Sequence, residues 1–485
     1  MYKLTFTLKQ HTPLIHFQHD QDGATLRATE VKPKLDRYII EMLTNLEAHK
    51  ANEKFKICTT KKIKEGNRII DNPKFNQTWF ELLIGENNDH LALDYKISIK
   101  ANDQVISYLK STENRNGIQN PLYFANMGDS ASKHYSDTKS LDFIVNTFNE
   151  GIFNILSEEL VCRFFLLNNF GSRQSKGLGS FFPIKTNDKP VLINPSDLLP
   201  QNTYWIEVNT NNDDQIFSTI DFFWKWLKSG INYQNCYKDS LLKLFLSQNT
   251  TYKWEKRRVK ELFLGLSPDS DSKFFVRAFM GLADNFTYKW VPKRKKRPGE
   301  IYTPIDLTIS IDCQDKEIQR NSAPFMFIPI KENQLTKIFI IFKPDFFDEL
   351  NNKTFNLTVN KIEPVKLITN IEERNGRNQE ITKKIFPDLK NAQNIISEAE
   401  AFLTNIDDRK VKQKAADLID KANDFILFLA SPASKSLSLT KTIVTPNSPP
   451  KLSEILDYAF TIIGDTFDVK DFSGNNVLSA KFLRK

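Results

Sequence analysis

Cysteine, histidine and glycine are all scarce in this chain of 485 residues. The four cysteines, at 58, 162, 236 and 313, lie far apart with no Cys-x-x-Cys pair, so neither a zinc ribbon nor a disulfide framework is indicated. All six histidines fall before residue 135, and none has a partner spaced to make a catalytic dyad or a metal set. Neither a metal nor any other cofactor is expected. Long apolar runs are missing too: segments such as Ile338 to Phe342 and Phe425 to Ala430 fall far short of the roughly 20 residues needed to span a bilayer. Residues 1–9 alternate like a strand and lack the apolar core and small-residue cleavage site of a signal peptide, which points to the cytoplasm.

Hydrophobic residues at 40% and charged residues at 26% describe a globular chain, long enough for two or three domains. Lysine plus arginine number 67 against 59 acidic residues, a net charge of +8 that matters only where it is concentrated. One such place is residues 170–182, FGSRQSKGLGSFF. It holds three of the sixteen glycines, Gly171, Gly177 and Gly179, with Arg173, Lys176 and the hydroxyls of Ser172, Ser175 and Ser180. Glycine permits positive φ and close backbone approach, so successive N–H groups are able to point at a phosphate that the two cations neutralise. A glycine-rich helix-to-strand turn of no such purpose fits the spacing equally well. A Walker loop or dinucleotide fingerprint needs strand then helix and a different glycine spacing, and neither is present.

Period-two alternation over 2–9 predicts a first strand, and Leu35, Tyr38, Ile39 and Met42 share a helical face in a helix opening at Pro33. Residues 48–89 are rich in Lys and Asn and read as irregular; alternation returns over 91–101. A helical pattern over 151–169 then leads through the glycine loop to a strand at 181–184. The order β, α, insertion, β, β, α, β is that of a ferredoxin-like, RRM-type sandwich. After a connector at 186–202, residues 216–227 form a helix whose many aromatics, Trp224 among them, read as core packing. Strand patterns at 305–311, 325–330, 337–342 and 355–362 indicate a second domain of the same class, followed by helices from about 380 to 432, a Ser/Thr/Pro-rich arm at 431–450 and a helix at 452–463. The fold expected is α+β: two ferredoxin-like domains, 1–190 and 191–375, with insertions, and a helical and extended region over 376–485.

Two further basic stretches read either as RNA-facing patches or as solvated surface: Lys253 to Lys260 around Trp254, and the run Lys293-Arg294-Lys295-Lys296-Arg297.

Taken together these stretches resemble the RAMP superfamily, the RNA-binding subunits of CRISPR–Cas systems. The loop at 170–182 looks like that family's glycine-rich loop; Thr12 to His16 is similar to its first-strand Thr-Pro-Leu-His motif; Thr29 to Arg37 resembles its Ser-x-Leu-Lys-Gly-x-Leu-Arg helix start, with Pro33 in place of the glycine. Ala278 to Ala283 and Gln319 to Ile330 look like the second half of the Cmr-type subunit conventionally counted first. Ala283 replaces a proline there, Ala323 a serine and Phe325 a leucine. The resemblance covers residues 1 to about 345.

It implies a non-catalytic, RNA-binding subunit of a type III-B (Cmr) effector complex in antiviral defence. Such a subunit contacts guide and target RNA near the guide 3′ end, alongside other RAMP subunits and the large Cmr subunit. The residues expected at RNA are Lys32, Lys34, Arg37, Gly171, Ser172, Arg173, Lys176, Gly177, Gly179, Ser180, Lys293, Arg294, Arg297 and Arg320; for Arg320 a salt bridge bracing the second domain is an equal alternative. RAMP relatives also include endoribonucleases, so His11, His16, His19, Asp20 and Asp22 are the residues of the rival, catalytic reading.

Overall fold

The computed structural model describes residues 1–15, 24–46, 48–65, 68–85, 91–111, 132–233, 236–249, 285–290, 305–314, 324–342, 352–362, 367–372, 378–383, 441–444, 451–470 and 476–485, with scattered helical positions between 393 and 427. Two compact units are formed by chain segments that alternate along the sequence. One holds residues 1–244, 324–345 and 450–485; the other holds 245–323 and 346–449.

The first unit opens with β1 (Tyr2–Gln10), α1 (Ala28–Thr44), α2 (Ala48–Thr59), the hairpin β2 (Lys62–Glu65) and β3 (Arg68–Asp71), α3 (Gln77–Glu81) and β4 (Lys96–Ala101). The hairpin β5 (Ile106–Ser111) and β6 (Ser132–Asp137) is followed by β7 (Ser140–Thr147), α4 (Glu150–Ile155), α5 (Glu158–Leu166), β8 (Phe181–Thr186) and β9 (Lys189–Pro190). The main sheet has the order β4-β7-β1-β8-β9, and each of these pairs is antiparallel. With α1 after β1 and α5 after β7, this is the split βαββαβ arrangement, its fourth strand beside the first. Alternation in β7 buries Leu141, Phe143 and Val145 against Val31, Leu35 and Ile39 of α1 and Phe164 and Phe165 of α5, which makes one core of the sheet and its helices.

Several local expectations change. Helix α1 begins at Ala28, so Pro33 lies inside it; burial of Val31 and Leu35 on the core face outweighs the one backbone bond that proline removes. Residues 48–89 contain two helices and a hairpin. Ala51, Phe55 and Thr59 at four-residue spacing bury one face of α2, a short stripe that the surrounding lysines and asparagines mask in the sequence. The helix expected over 151–169 is two helices, because Ser157 takes an extended backbone and its Oγ accepts from the N–H of Leu160 to start α5.

The same topology then recurs. β10 (Tyr204–Val208), α6 (Asp213–Lys228), the small hairpin β11 (Ile231–Tyr233) and β12 (Cys236–Lys238), and α7 (Leu241–Asn249) come first. In the other unit lie β13 (Asn285–Trp290) and β14 (Ile305–Cys313), and after them the chain returns with β15 (Phe325–Glu332) and β16 (Leu335–Phe342). It leaves again for β17 (Thr354–Ile362), β18 (Leu367–Glu372), β19 (Asn378–Lys383) and β20 (Lys441–Val444), and ends with α8 (Leu452–Ile463), β21 (Thr466–Lys470) and β22 (Asn476–Arg484). The second sheet has the order β15-β16-β10-β22-β21, again antiparallel throughout. Read as βαββαβ, its strands are β10, β15, β16 and β22, with α6 and α8 as helices. The end of the chain therefore supplies a strand beside β10 and a helix, within what the sequence presents as a tail. Phe222, Phe223 and Trp226 of α6 pack against Phe467, and Phe223 also against Phe327 and Phe482.

The other unit carries the antiparallel sheet β13-β14-β17-β20 and the hairpin β18-β19. Thus β14 and β17, which look from the sequence like members of one domain with β15 and β16, belong to a separate sheet.

Among the described residues no helix is long and apolar enough to cross a membrane, and no group of three or more His, Cys, Asp or Glu side chains is placed to hold a metal ion.

Candidate nucleic-acid interface

The three N-terminal motifs that lie apart in sequence interlock. Thr12 Oγ1 donates to the carbonyl of Gly177 at 2.7 Å and accepts from the N–H of Ser180 at 3.0 Å. The carbonyl of Pro13 accepts from Gly179 N–H, and that of Ile15 from Ser172 N–H. From α1, Glu30 Oε1 accepts the N–H of Gly171 at 2.7 Å, while Lys34 Nζ donates to the Asn169 carbonyl at 2.8 Å and to Gln174 Oε1 at 2.9 Å. The loop is then fixed to the second sheet: Ser180 Oγ donates to the carbonyl of Pro329, and Asn169 Nδ2 to that of Phe327.

This network revises the role expected of the glycines. All three have positive φ, at 74°, 87° and 71°, but the reason is internal packing. A Cβ on Gly179 would lie 2.0 Å from the Phe170 carbonyl oxygen, and one on Gly171 2.5 Å from that of Ile15. Their amides are committed as well, Gly171 to Glu30, Gly177 to Gln174 and Gly179 to Pro13. A cradle made of these three amides is therefore not what the loop offers to an anion. Ser180 is fully buried, and Ser172 spends its amide on Ile15.

What the loop does present is charge. Arg173, itself at φ 62°, precedes a short 3-10 turn that Lys176 closes, and Lys176 meets α6 at Trp224. Lys176 Nζ sits 4.2 Å from the Trp224 ring centroid and Lys228 Nζ 5.5 Å from it, while the edge of that ring packs against Phe325 and Phe327. Burial, and then the charges of Lys228, Arg173 and Lys225, lower the Lys176 pKa from its ordinary value to about 7; Asp221 acts the other way. Asp221 is bonded to Lys225, its neighbour one helical turn along. Lys176 thus feels the charges of three other cations and of Asp221.

Reading α6 from the sequence as core missed Trp224, Lys225 and Lys228. The usable signal is the pair of lysines three apart in the final turn, on the side of the helix away from Phe223 and Leu227.

Lys32 and Arg37 lie elsewhere on α1, along a cavity of about 890 Å³ that Tyr95, Lys96 and Asn52 also line. Lys32 is held by Asp36 at 2.9 Å and the Leu93 carbonyl at 2.9 Å, over the Tyr95 ring; Arg37 is exposed. Lys293, Arg294, Arg297 and Arg320 lie outside the described residues, as do Trp254, His16, His19, Asp20 and Asp22. His11 is described: it is 3% exposed, its Nδ1 accepts the N–H of Lys331, and its Nε2 is buried, so it has no position from which to exchange protons with a substrate.

Two ferredoxin-like sheets joined through a glycine-rich loop, which is itself locked to the first strand and first helix, define a RAMP-type protein. Profile comparison is more specific: the Cmr1 N-terminal domain matches residues 1–231 and the Cmr1 C-terminal domain residues 237–414. The chain belongs to the Cmr1 family. Among solved structures, the apo form of Cmr1 from Pyrococcus furiosus is similar at 12% identity over 71% of this chain and 90% of that chain, with a TM-score of 0.29. No curated protein matches the chain.

Proposed function

We propose that this protein is a non-catalytic, RNA-binding subunit of a type III-B (Cmr) CRISPR effector complex that contacts guide and target RNA near the guide 3′ end. Its partners in this reading are other RAMP subunits and the large Cmr subunit, and its role is antiviral defence in the cytoplasm. Membership of the Cmr1 family supports the complex. The observation that supports the RNA contact is the meeting of Lys176 from the loop and Lys228 from α6 at the Trp224 ring, with Arg173 and Lys225 close enough for their charges to act on Lys176. Clustered cations bind the phosphate backbone without reading sequence. Arg37, Lys293, Arg294, Arg297 and Arg320 extend the same electrostatic role, while Lys32, Lys34 and the three glycines serve it indirectly by shaping α1 and the loop.

Gentle purification of the tagged protein from its own host tests this. Co-elution of guide-length CRISPR RNA with other RAMP subunits is the expected result. A lone protein carrying processed or mixed RNA would transfer the reading to an endoribonuclease or an independent RNA binder.

A further inference from the structure

The two ferredoxin-like sheets differ on the face turned away from their helices. In the second sheet that face is apolar and already covered: Ile328, Ile330 and Phe339 pack with Cys162 and Leu166 of α5 and Phe182 of β8. In the first sheet it is polar. Leu141, Phe143 and Val145 of β7 join the helical core, so Asp142, Ile144 and Asn146 face the other way. Register sets Lys96 of β4 and Lys3 of β1 on either side of Asn146. It sets Lys100 of β4 and Lys185 of β8 at the two ends of a row that runs through Asp142 and Thr7. Strand spacing and rise put Lys96 and Lys3 about 10 Å apart at Cα, and the two rows about 13 Å apart.

All four lysines are exposed, and none uses its side chain in a hydrogen bond or ion pair among the described residues. Lys9, on the same side of β1, is instead committed to the Lys331 carbonyl. The carboxylate within the rows, Asp142, accepts from Thr7 Oγ1 at 3.2 Å and from Asn102 Nδ2 at 2.8 Å, both at Oδ1. At the end of β7, just past Asn146, stands Phe148, 79% exposed and without a ring partner among the described residues.

We propose that this face is a second RNA surface, on which Lys3, Lys96, Lys100 and Lys185 take backbone phosphates of a single strand and Phe148 stacks one of its bases. The proposal rests on the RNA-binding reading above and concerns a site separate from the loop at 170–182.

Cations spread over a sheet neutralise phosphates without reading sequence, and a ring at the rim accepts the π-face of any unpaired base. A duplex keeps its bases stacked on one another and has no use for the ring, so the strand is single. Lys96 also lines the cavity along which Arg37 lies, which continues the cations round the edge of β4 to α1. An acidic protein fits less well. Protein interfaces bury an apolar centre from which charge is depleted, as the second sheet does; here Ile144 is the one apolar side chain that β1, β4 and β7 turn outward.

The test is the affinity of the full chain for a guide-length single-stranded RNA over a range of salt. Replacing the four lysines together (Lys3→Gln, Lys96→Gln, Lys100→Gln and Lys185→Gln) is expected to make the logarithmic salt dependence shallower by up to about three. Phe148→Ala is expected to weaken binding by at least about five-fold at every salt concentration with the slope unchanged, and Phe148→Trp to keep the affinity. Unaltered binding in both the four-lysine variant and Phe148→Ala, with weaker binding in Arg173→Ala/Lys176→Ala, overturns the sheet surface and leaves the RNA reading intact. A shallower slope in the lysine variant with no effect of Phe148→Ala overturns the stacked base and with it the proposal as stated. Variants that keep their RNA affinity but lose a protein from the complex purified from the host assign the face to that protein and likewise overturn it. Failure of the wild type to bind RNA at all overturns both readings.

Discussion

The backbone N–H of Lys331 donates to Nδ1 of His11 over 2.9 Å, joining the end of the first strand of one ferredoxin-like sheet to the edge strand of the other. The Lys9 side chain repeats the connection one residue pair away, donating to the Lys331 carbonyl at 3.1 Å. Burial, and then the charges of Lys9 and Lys331, hold the imidazole pKa down to about 3. The unfolded chain takes this proton near pH 6.5, whereas the folded chain does not until far lower. The contribution is therefore whole above 6.5 and shrinks as pH falls, by about 1.4 kcal/mol per pH unit between roughly 6 and 4. Urea unfolding at a series of pH values should show that slope become shallower in His11→Asn, which keeps an acceptor for Lys331. An identical slope in the variant would remove His11 from the account.

Gly179 and Gly85 share a positive φ, 71° and 72°, but not their surroundings. An added methyl at Gly85 meets nothing within 4 Å, so Gly85→Ala should cost only the left-handed backbone penalty of about 1 to 2 kcal/mol. At Gly179 the same methyl would strike the Phe170 carbonyl, and the hydrogen bond from Phe170 N–H to the Gly179 carbonyl would have to break. Gly179→Ala is expected to lose several kcal/mol more. Comparable melting temperatures for the two variants would contradict the packing described for the loop.

In Arg173→Ala/Lys176→Ala the logarithmic dependence of RNA affinity on salt should become shallower by about two, one for each cation withdrawn from a phosphate. An unaltered slope in filter binding over a range of salt would place the RNA elsewhere on the protein.

Lys485 donates its Nζ to the carbonyls of Ser196, Asp197 and Leu199 at 2.9, 3.3 and 2.5 Å, and its backbone pairs with Asn202 and Thr203. Lys485→Met keeps the aliphatic stem and leaves these carbonyls to weaker partners. A loss of about 1 to 3 kcal/mol in denaturant unfolding is expected. No measurable loss would mean that water replaces the ammonium without penalty.

The relation between motif and role is clearest at residues 170–182. Its glycine content marks backbone that must adopt positive φ, and this is legible from composition. Whether such backbone faces a ligand or another segment depends on what packs there, and Pro13, Ile15 and Glu30 are the segments that do. Lys34 illustrates the same limit: as a lysine near a helix start it looks available to RNA, yet two acceptors from the loop hold it. Trp224 errs in the other direction, an aromatic in an apolar helix that meets lysines from two elements.

Local pattern by itself determined most of the elements. Period-two alternation located β1, β4 and β17, apolar strand-like runs located β8, β15 and β16, and helical patterns located α6 and α8, because side-chain periodicity and local composition are properties of consecutive residues. It also determined the βαββαβ order of the first domain. Only the tertiary structure decided which strands share a sheet. Tyr204 to Val208 pair with Arg484 to Ala480 across more than half of the chain, while the adjacent β14 and β15 part into different sheets. Strand pairing is chosen by which apolar faces are buried together, and that depends on residues the local sequence does not contain. The cluster around Lys176 is likewise a tertiary fact, since its charges come from segments some fifty residues apart and take their chemistry from one another.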